Sequence, residues 1–132
     1  MKWVVFSDIQ GNLNTLERFF AQVEADKFYC LGDIVQHGET FDENRVVDLL
    51  KEHNVVCVGG NHDSDLVERV NPGHQSVPKI TPETTEFLTL LPLEITLASE
   101  GIHLSHYGPS MSQRVFTPED SETEFKAMLR RE

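Results

Sequence analysis

Short apolar runs separated by polar, glycine-bearing stretches set the pattern of this chain. Trp3 to Phe6 is rich in strand formers and reads as a buried strand. After the polar stretch Ser7-Asp8-Ile9-Gln10-Gly11-Asn12, the apolar positions Leu13, Leu16, Phe19, Phe20 and Val23 recur on one helical face, with Asn12 as N-cap. Phe28 to Leu31 reads as a second strand, ended by Gly32-Asp33. A second helix follows, capped by Asp42, with Val46, Leu49 and Leu50 on its apolar side. Val55 to Val58 is a third strand and stops at Gly59-Gly60-Asn61-His62-Asp63. Strand, helix, strand, helix, strand with continuous apolar strands predicts a parallel sheet buried on both faces, with polar loops at the carboxyl ends of the strands.

Beyond that point the pattern loosens. Ser64 to Gly73 reads as a short helix and a loop. Thr81-Pro82 opens a helix through Leu90, as N-cap and first-turn proline. Leu93 to Leu97 and Ile102 to Ser105 read as strands joined by the hairpin signal Ser99-Glu100-Gly101, the second leading into His106-Tyr107. Thr117-Pro118 opens a last helix carrying Phe125, Met128 and Leu129.

Composition changes this picture little. The chain has 132 residues, 39% hydrophobic and 25% charged, which predicts one soluble globular domain over residues 1–132. The formal net charge of −11 argues against non-specific nucleic-acid binding and against anionic membranes. No run approaches transmembrane length, and no signal peptide precedes Ser7-Asp8. Cys30 and Cys57 lie inside apolar runs without the spacing of a zinc site or redox pair, which fits free thiols in a reducing, cytoplasmic compartment.

The chemistry sits at the strand ends. Asp8, Asp33 and Asn61 each follow a strand, about one strand-helix unit apart. Neighbouring strands lie only ~4.8 Å apart, so their oxygen-bearing side chains can converge on a cation. The structural alternative for each is a turn or helix-cap residue. His37 is read as facing substrate or as an exposed loop residue, His53, His74 and His103 as helix-end, loop or packing residues, and the acidic run from Glu119 to Glu124 as a solvated first helical turn.

Asp8-Ile9-Gln10-Gly11-Asn12, Gly32-Asp33, Gly60-Asn61-His62-Asp63 and His106 after a strand resemble, in that order, the calcineurin-like metallophosphoesterases, in particular their small bacterial and archaeal members. The resemblance implies an α/β/β/α sandwich, here C-terminally shortened, and a two-metal site. Asp33 would bridge the metals, Asp8 would bind the first, and Asn61 and His106 the second. His62 would contact phosphate and protonate the leaving oxygen, and Asp63 would orient His62. Two metals ~3.5–4 Å apart can lower the pKa of a shared water and clamp the phosphoryl oxygens. The donors suit Mn, Mg, Fe or Zn, with Mn favoured.

Two departures stand out. Gln10 occupies the position of a family histidine, and the family's Gly-His-any-His motif is absent before Glu132. The first metal would therefore be held by Asp8, Asp33 and at best Gln10, more weakly than the second. The expected activity is metal-dependent hydrolysis of a small phosphate mono- or diester. The rivals are a binding or regulatory module on the same fold, and an unrelated α/β nucleotide-binding domain. The second is disfavoured by the lack of a Gly-rich phosphate loop. Unpaired apolar strand edges in the C-terminal half lead us to expect a homodimer that tightens as salt rises.

Overall fold

A computed structural model describes residues 1–36, 42–70 and 79–107. The last expected helix, His37 and His74 lie outside the described residues. The described elements run β1 (Trp3–Phe6), α1 (Leu13–Gln22), β2 (Lys27–Cys30), α2 (Asp42–Glu52), β3 (Val56–Cys57), α3 (Asn61–Val70), α4 (Pro82–Thr89), β4 (Glu94–Leu97) and β5 (Ile102–Ser105).

The first three strands form one parallel sheet in the order β1-β2-β3, with Phe6 opposite Cys30 and Cys30 opposite Cys57. Alternation along the strands decides what each face meets. Phe6 and Phe28 point to the helical side, where Phe19 and Phe20 of α1 pack on them at centroid distances of 4.8 to 6.3 Å. Cys30 and Cys57 face the same core, with Val46, Val47, Leu49 and Leu50 of α2, Leu66 of α3 and Leu88 of α4. Both thiols are free and buried. The Cys57 thiol is pushed up by its hydrogen bond to Cys30 and by burial, so the pair behaves as inert core filling.

The opposite face differs from the expectation. It carries Trp3, Val5, Tyr29, Val56 and Val58. Tyr29 and Val58 are buried, but Val5 is 50% and Val56 44% exposed. The sheet is therefore covered more completely on its helical face than on the other.

Helix ends follow local chemistry. The Asn12 side chain accepts the Thr15 N–H (3.1 Å) at the start of α1. The Thr81 hydroxyl accepts the Thr84 N–H (3.2 Å) at the start of α4, where Pro82 occupies the first turn. In place of a helix from Ser64, α3 begins at Asn61, so the Asn-His-Asp stretch is itself the first helical turn. β4 and β5 pair antiparallel as a separate two-stranded sheet. That hairpin is tied to the first sheet by the Gly59 N–H donating to the Pro92 carbonyl (2.8 Å) and by a contact of His106. No helix among the described residues is long and apolar enough to cross a membrane.

Candidate functional site

Three loops leave the carboxyl ends of β1, β2 and β3, and the middle one organises the other two. The loop after β1 lies along it by backbone bonds: Asp8 N–H to Gly32 O (3.0 Å), Gln10 N–H to Asp33 O (2.9 Å) and Gly11 N–H to Ile34 O (2.8 Å). Asp33 adopts a left-handed conformation (φ 53°) after Gly32 (φ 101°). Glycine is required at Gly32, because a Cβ there would sit 2.6 Å from the Gly60 nitrogen, and a Cβ on Gly60 would run into the Asp33 carboxylate. The loops after β2 and β3 therefore touch backbone to backbone.

That contact explains the early start of α3. The Asp63 carboxylate reaches back to the Gly60 N–H (2.9 Å), an acidic residue in the third helical position bonding to the cap. The Asp33 carboxylate accepts the His62 N–H (3.0 Å) from across the sheet. One acid from within the helix and one from the neighbouring loop thus satisfy first-turn donors that would otherwise lack partners. The positive end of the α3 dipole faces Asp33.

Asp63 does more than cap. Its other oxygen accepts the Ile34 and Val35 N–H groups (2.9 and 3.1 Å), so a side chain 1% exposed staples the third loop to the second. Its hydrogen bonds run to backbone, in place of the expected part of orienting the His62 ring. Burial is the main cause that raises its pKa. The three N–H donors pull the other way, and the nearby Asp33 charge adds a smaller rise.

Around Asp33, itself buried, stand three side chains. His106 Nε2 is 3.0 Å from Asn61 Oδ1 and 3.5 Å from Asp33 Oδ2, and His62 Nε2 is 3.9 Å from the same Asp33 oxygen. The other His106 nitrogen, Nδ1, is 3.0 Å from the Leu31 carbonyl, which can only accept. Nδ1 must therefore carry a proton. In a neutral ring Nε2 then turns a lone pair toward two oxygen acceptors. A metal ion among them would make that arrangement favourable, as would the Asn61 amide turned to present its N–H group. Histidine fixed at one nitrogen by a carbonyl and free at the other is the usual state of a metal-binding imidazole.

The distances fit an ion. Two donors ~2.1 Å from one metal lie about 3.0 Å apart at right angles and about 3.4 Å apart at the tetrahedral angle. The observed 3.0 and 3.5 Å match, so Asp33, Asn61 and His106 can share one divalent cation.

Asp8 and Gln10 stand apart from this group. Among the described residues no three His, Cys, Asp or Glu side chains group at metal-binding distance, so Asp8 does not join Asp33 and His106. Asp8 is exposed, and its Oδ2 accepts the Ser7 hydroxyl (2.6 Å). Gln10 is exposed and meets the Asp33 loop through its backbone. Asp8 (φ 60°) and Gln10 (φ 50°) occupy the left-handed region, as Asp33 does (φ 53°).

Three further residues lie outside this group, of which Glu43 escaped the sequence reading. Glu43, in the first turn of α2, is a buried carboxylate that accepts the Gln36 N–H (3.3 Å) beside the second loop. Only its acidity within an otherwise exposed-looking turn could have signalled it. His53 stacks on Phe20 (3.8 Å, 1° between planes), and His103 contacts Thr96 and Glu94 on the hairpin.

Fold and site together define a class: an α/β protein with a carboxylate, an amide and an imidazole gathered at the ends of parallel strands. Within it, the chain belongs to the calcineurin-like phosphoesterase family, whose sequence profile it matches over residues 1–131. Members of that family generally use divalent metals. An uncharacterised protein of Methanocaldococcus jannaschii, MJ0912, is 29% identical over 120 residues, 80% of this chain and 49% of that protein. The crystal structure of a metallophosphoesterase from Sphaerobacter thermophilus superposes with a TM-score of 0.61 at 23% identity, covering 73% of this chain and 43% of the other. A second crystal structure, provisionally named as a diadenosine tetraphosphatase, gives 0.59 at 23% identity over 92% of this chain and 58% of the other. At those identities the two structures show the shared fold. The chain spans about half the length of the proteins it matches.

Proposed function

We propose that this chain hydrolyses a small phosphate ester with a divalent metal, manganese foremost, held by Asp33, Asn61 and His106. One observation carries the reading: the His106 ring, fixed through Nδ1 on Leu31, turns Nε2 toward Asn61 Oδ1 and Asp33 Oδ2 at the separations of neighbouring ligands. Bound there, the metal would supply Lewis-acid stabilisation of phosphoryl oxygens and a more acidic water. The chain's own residues do the rest. The N-terminus of α3 offers a positive dipole end to the phosphate. His62, in the first turn beside Asp33, contacts the phosphate and protonates the leaving oxygen. Asp63 acts through the backbone, holding Gly60, Ile34 and Val35 so that the Asp33 loop and α3 keep their relation.

The test is Mn-dependent release of nitrophenol from an aryl phosphate, with inorganic phosphate measured alongside. His62→Ala should lower kcat by roughly 10²- to 10⁴-fold, the range for loss of a general acid. The separation of Asp8 from Asp33 and His106 favours a second reading, a one-metal binding or regulatory protein without turnover. A rise in melting temperature with Mn but no rate above background would establish that reading over hydrolysis. The provisionally named diadenosine tetraphosphatase is reason to include a dinucleoside polyphosphate among the substrates tried.

A further inference from the structure

A phosphate ester needs room for its alcohol part as well as for its phosphate. Beside the candidate site a cavity of about 340 Å³ is walled by Gln36, His62, Asp65, Glu68 and Arg69. His62, Asp65 and Arg69 are spaced three and then four residues apart, which places them along one face of α3. The cavity therefore runs from the N-terminal turn, where His62 faces Asp33, down the flank of the helix. A cavity of about 400 Å³ elsewhere, between α3 and the Leu88–Leu93 stretch, reaches neither His62 nor Asp33. The first of the two is the one placed to receive what is attached to a phosphate held at His62.

Its lining has a sign. Asp65 and Glu68 carry no hydrogen bond or ion pair among the described residues, whereas Arg69 is engaged. Two carboxylates face the cavity against one guanidinium already in use, in a chain of net charge −11. An anionic leaving group would be repelled there, and a cationic one would find open partners.

We propose that this cavity binds the alcohol part of the substrate and selects an alcohol bearing an ammonium group, through Asp65 and Glu68. The proposal rests on the phosphoester reading for the placement of the phosphate, but its test is binding, so the two can fail separately. The probes are phosphoethanolamine and its neutral counterpart, 2-hydroxyethyl phosphate, titrated into the Mn-loaded full chain by calorimetry. Phosphoethanolamine should bind about fivefold more tightly, the size expected for exposed ion pairs. The preference should shrink as salt rises. In the double variant Asp65→Asn, Glu68→Gln the two ligands should bind within twofold of each other. Equal affinities in the wild type, or a preference that survives the double variant, would overturn the proposal. A preference that vanishes in the double variant, without turnover of either ester, supports the cavity assignment and removes the hydrolase reading alone.

Discussion

The loop after β1 and the loop after β3 both lie against the Asp33 loop, yet they are held in different ways. The β1 loop is joined by backbone bonds and by the Ser7 hydroxyl donating to the Gly32 carbonyl (3.3 Å), and its side chains Asp8 and Gln10 are exposed on left-handed backbone. The β3 loop is joined by carboxylates. Asp63 reaches three N–H groups, Asp33 reaches the start of α3, and the His106 ring stands between the Asn61 side chain and Asp33. Backbone bonding brings two loops together without aiming their side chains, whereas buried carboxylates fix both. The difference accounts for one gathered group of side chains beside one open flank.

The largest expected effect comes from removing the staple. Asp63→Ala leaves three buried N–H groups without acceptors, and should cost about 3 kcal/mol or more by urea unfolding. The pH dependence has a definite sign. In the unfolded chain this carboxyl ionises near ~3.9, and in the fold its pKa is raised. Between the two values the native state holds more protons, so its contribution to stability falls as pH rises through that window. The difference between wild type and Asp63→Ala should therefore be greater at pH 4 than at pH 7. A difference that grows with pH would show that the hydrogen bonds to the ionised form outweigh burial.

Next in size is the metal contrast between the loops. At Mn a hundredfold above its dissociation constant, wild type should gain about 2.7 kcal/mol of stability. Asp33→Ala should abolish that gain, and Asp8→Ala should keep at least half of it, read as shifts in melting temperature. Equal loss in both variants would break the comparison, because it would mean that the two loops serve one centre.

The smallest effect concerns Gln10. Its φ of 50° disfavours any side chain, while its N–H is what binds the Asp33 loop. Gln10→Gly keeps the N–H and relieves the strain, and should stabilise by up to about 1 kcal/mol in urea unfolding. Destabilisation would reveal that the Gln10 amide holds a partner of its own.

These contrasts also show what could be read from sequence and what could not. Strands announced by apolar runs fall where expected at Trp3–Phe6 and Ile102–Ser105, and the Thr81-Pro82 signal does open α4. These are local effects of burial and capping. The start of α3 at Asn61 was hidden, because one of its capping acids, Asp33, comes from another loop and leaves no trace in the local pattern. Asp33, Asn61 and His106 could be picked out by type and strand-end position, since burial and backbone bonding then brought them together. Asp8 and Gln10 had the same credentials, yet both are exposed. The continuous apolar strands suggested two buried faces for the sheet, but nothing in them could tell that Val5 and Val56 would remain half exposed.

The contact of Gly32 with Gly60 bears on how such a chain can change over generations. A methyl group at Gly32 strikes the backbone of Gly60, and one at Gly60 strikes the Asp33 carboxylate. At both positions a backbone nitrogen also stands in the way, that of Gly60 in one case and that of Asp33 in the other, and no second mutation can trim it. The two positions are therefore locked as one inherited unit, and no stepwise route leads away from either glycine without first giving up the approach of the two loops.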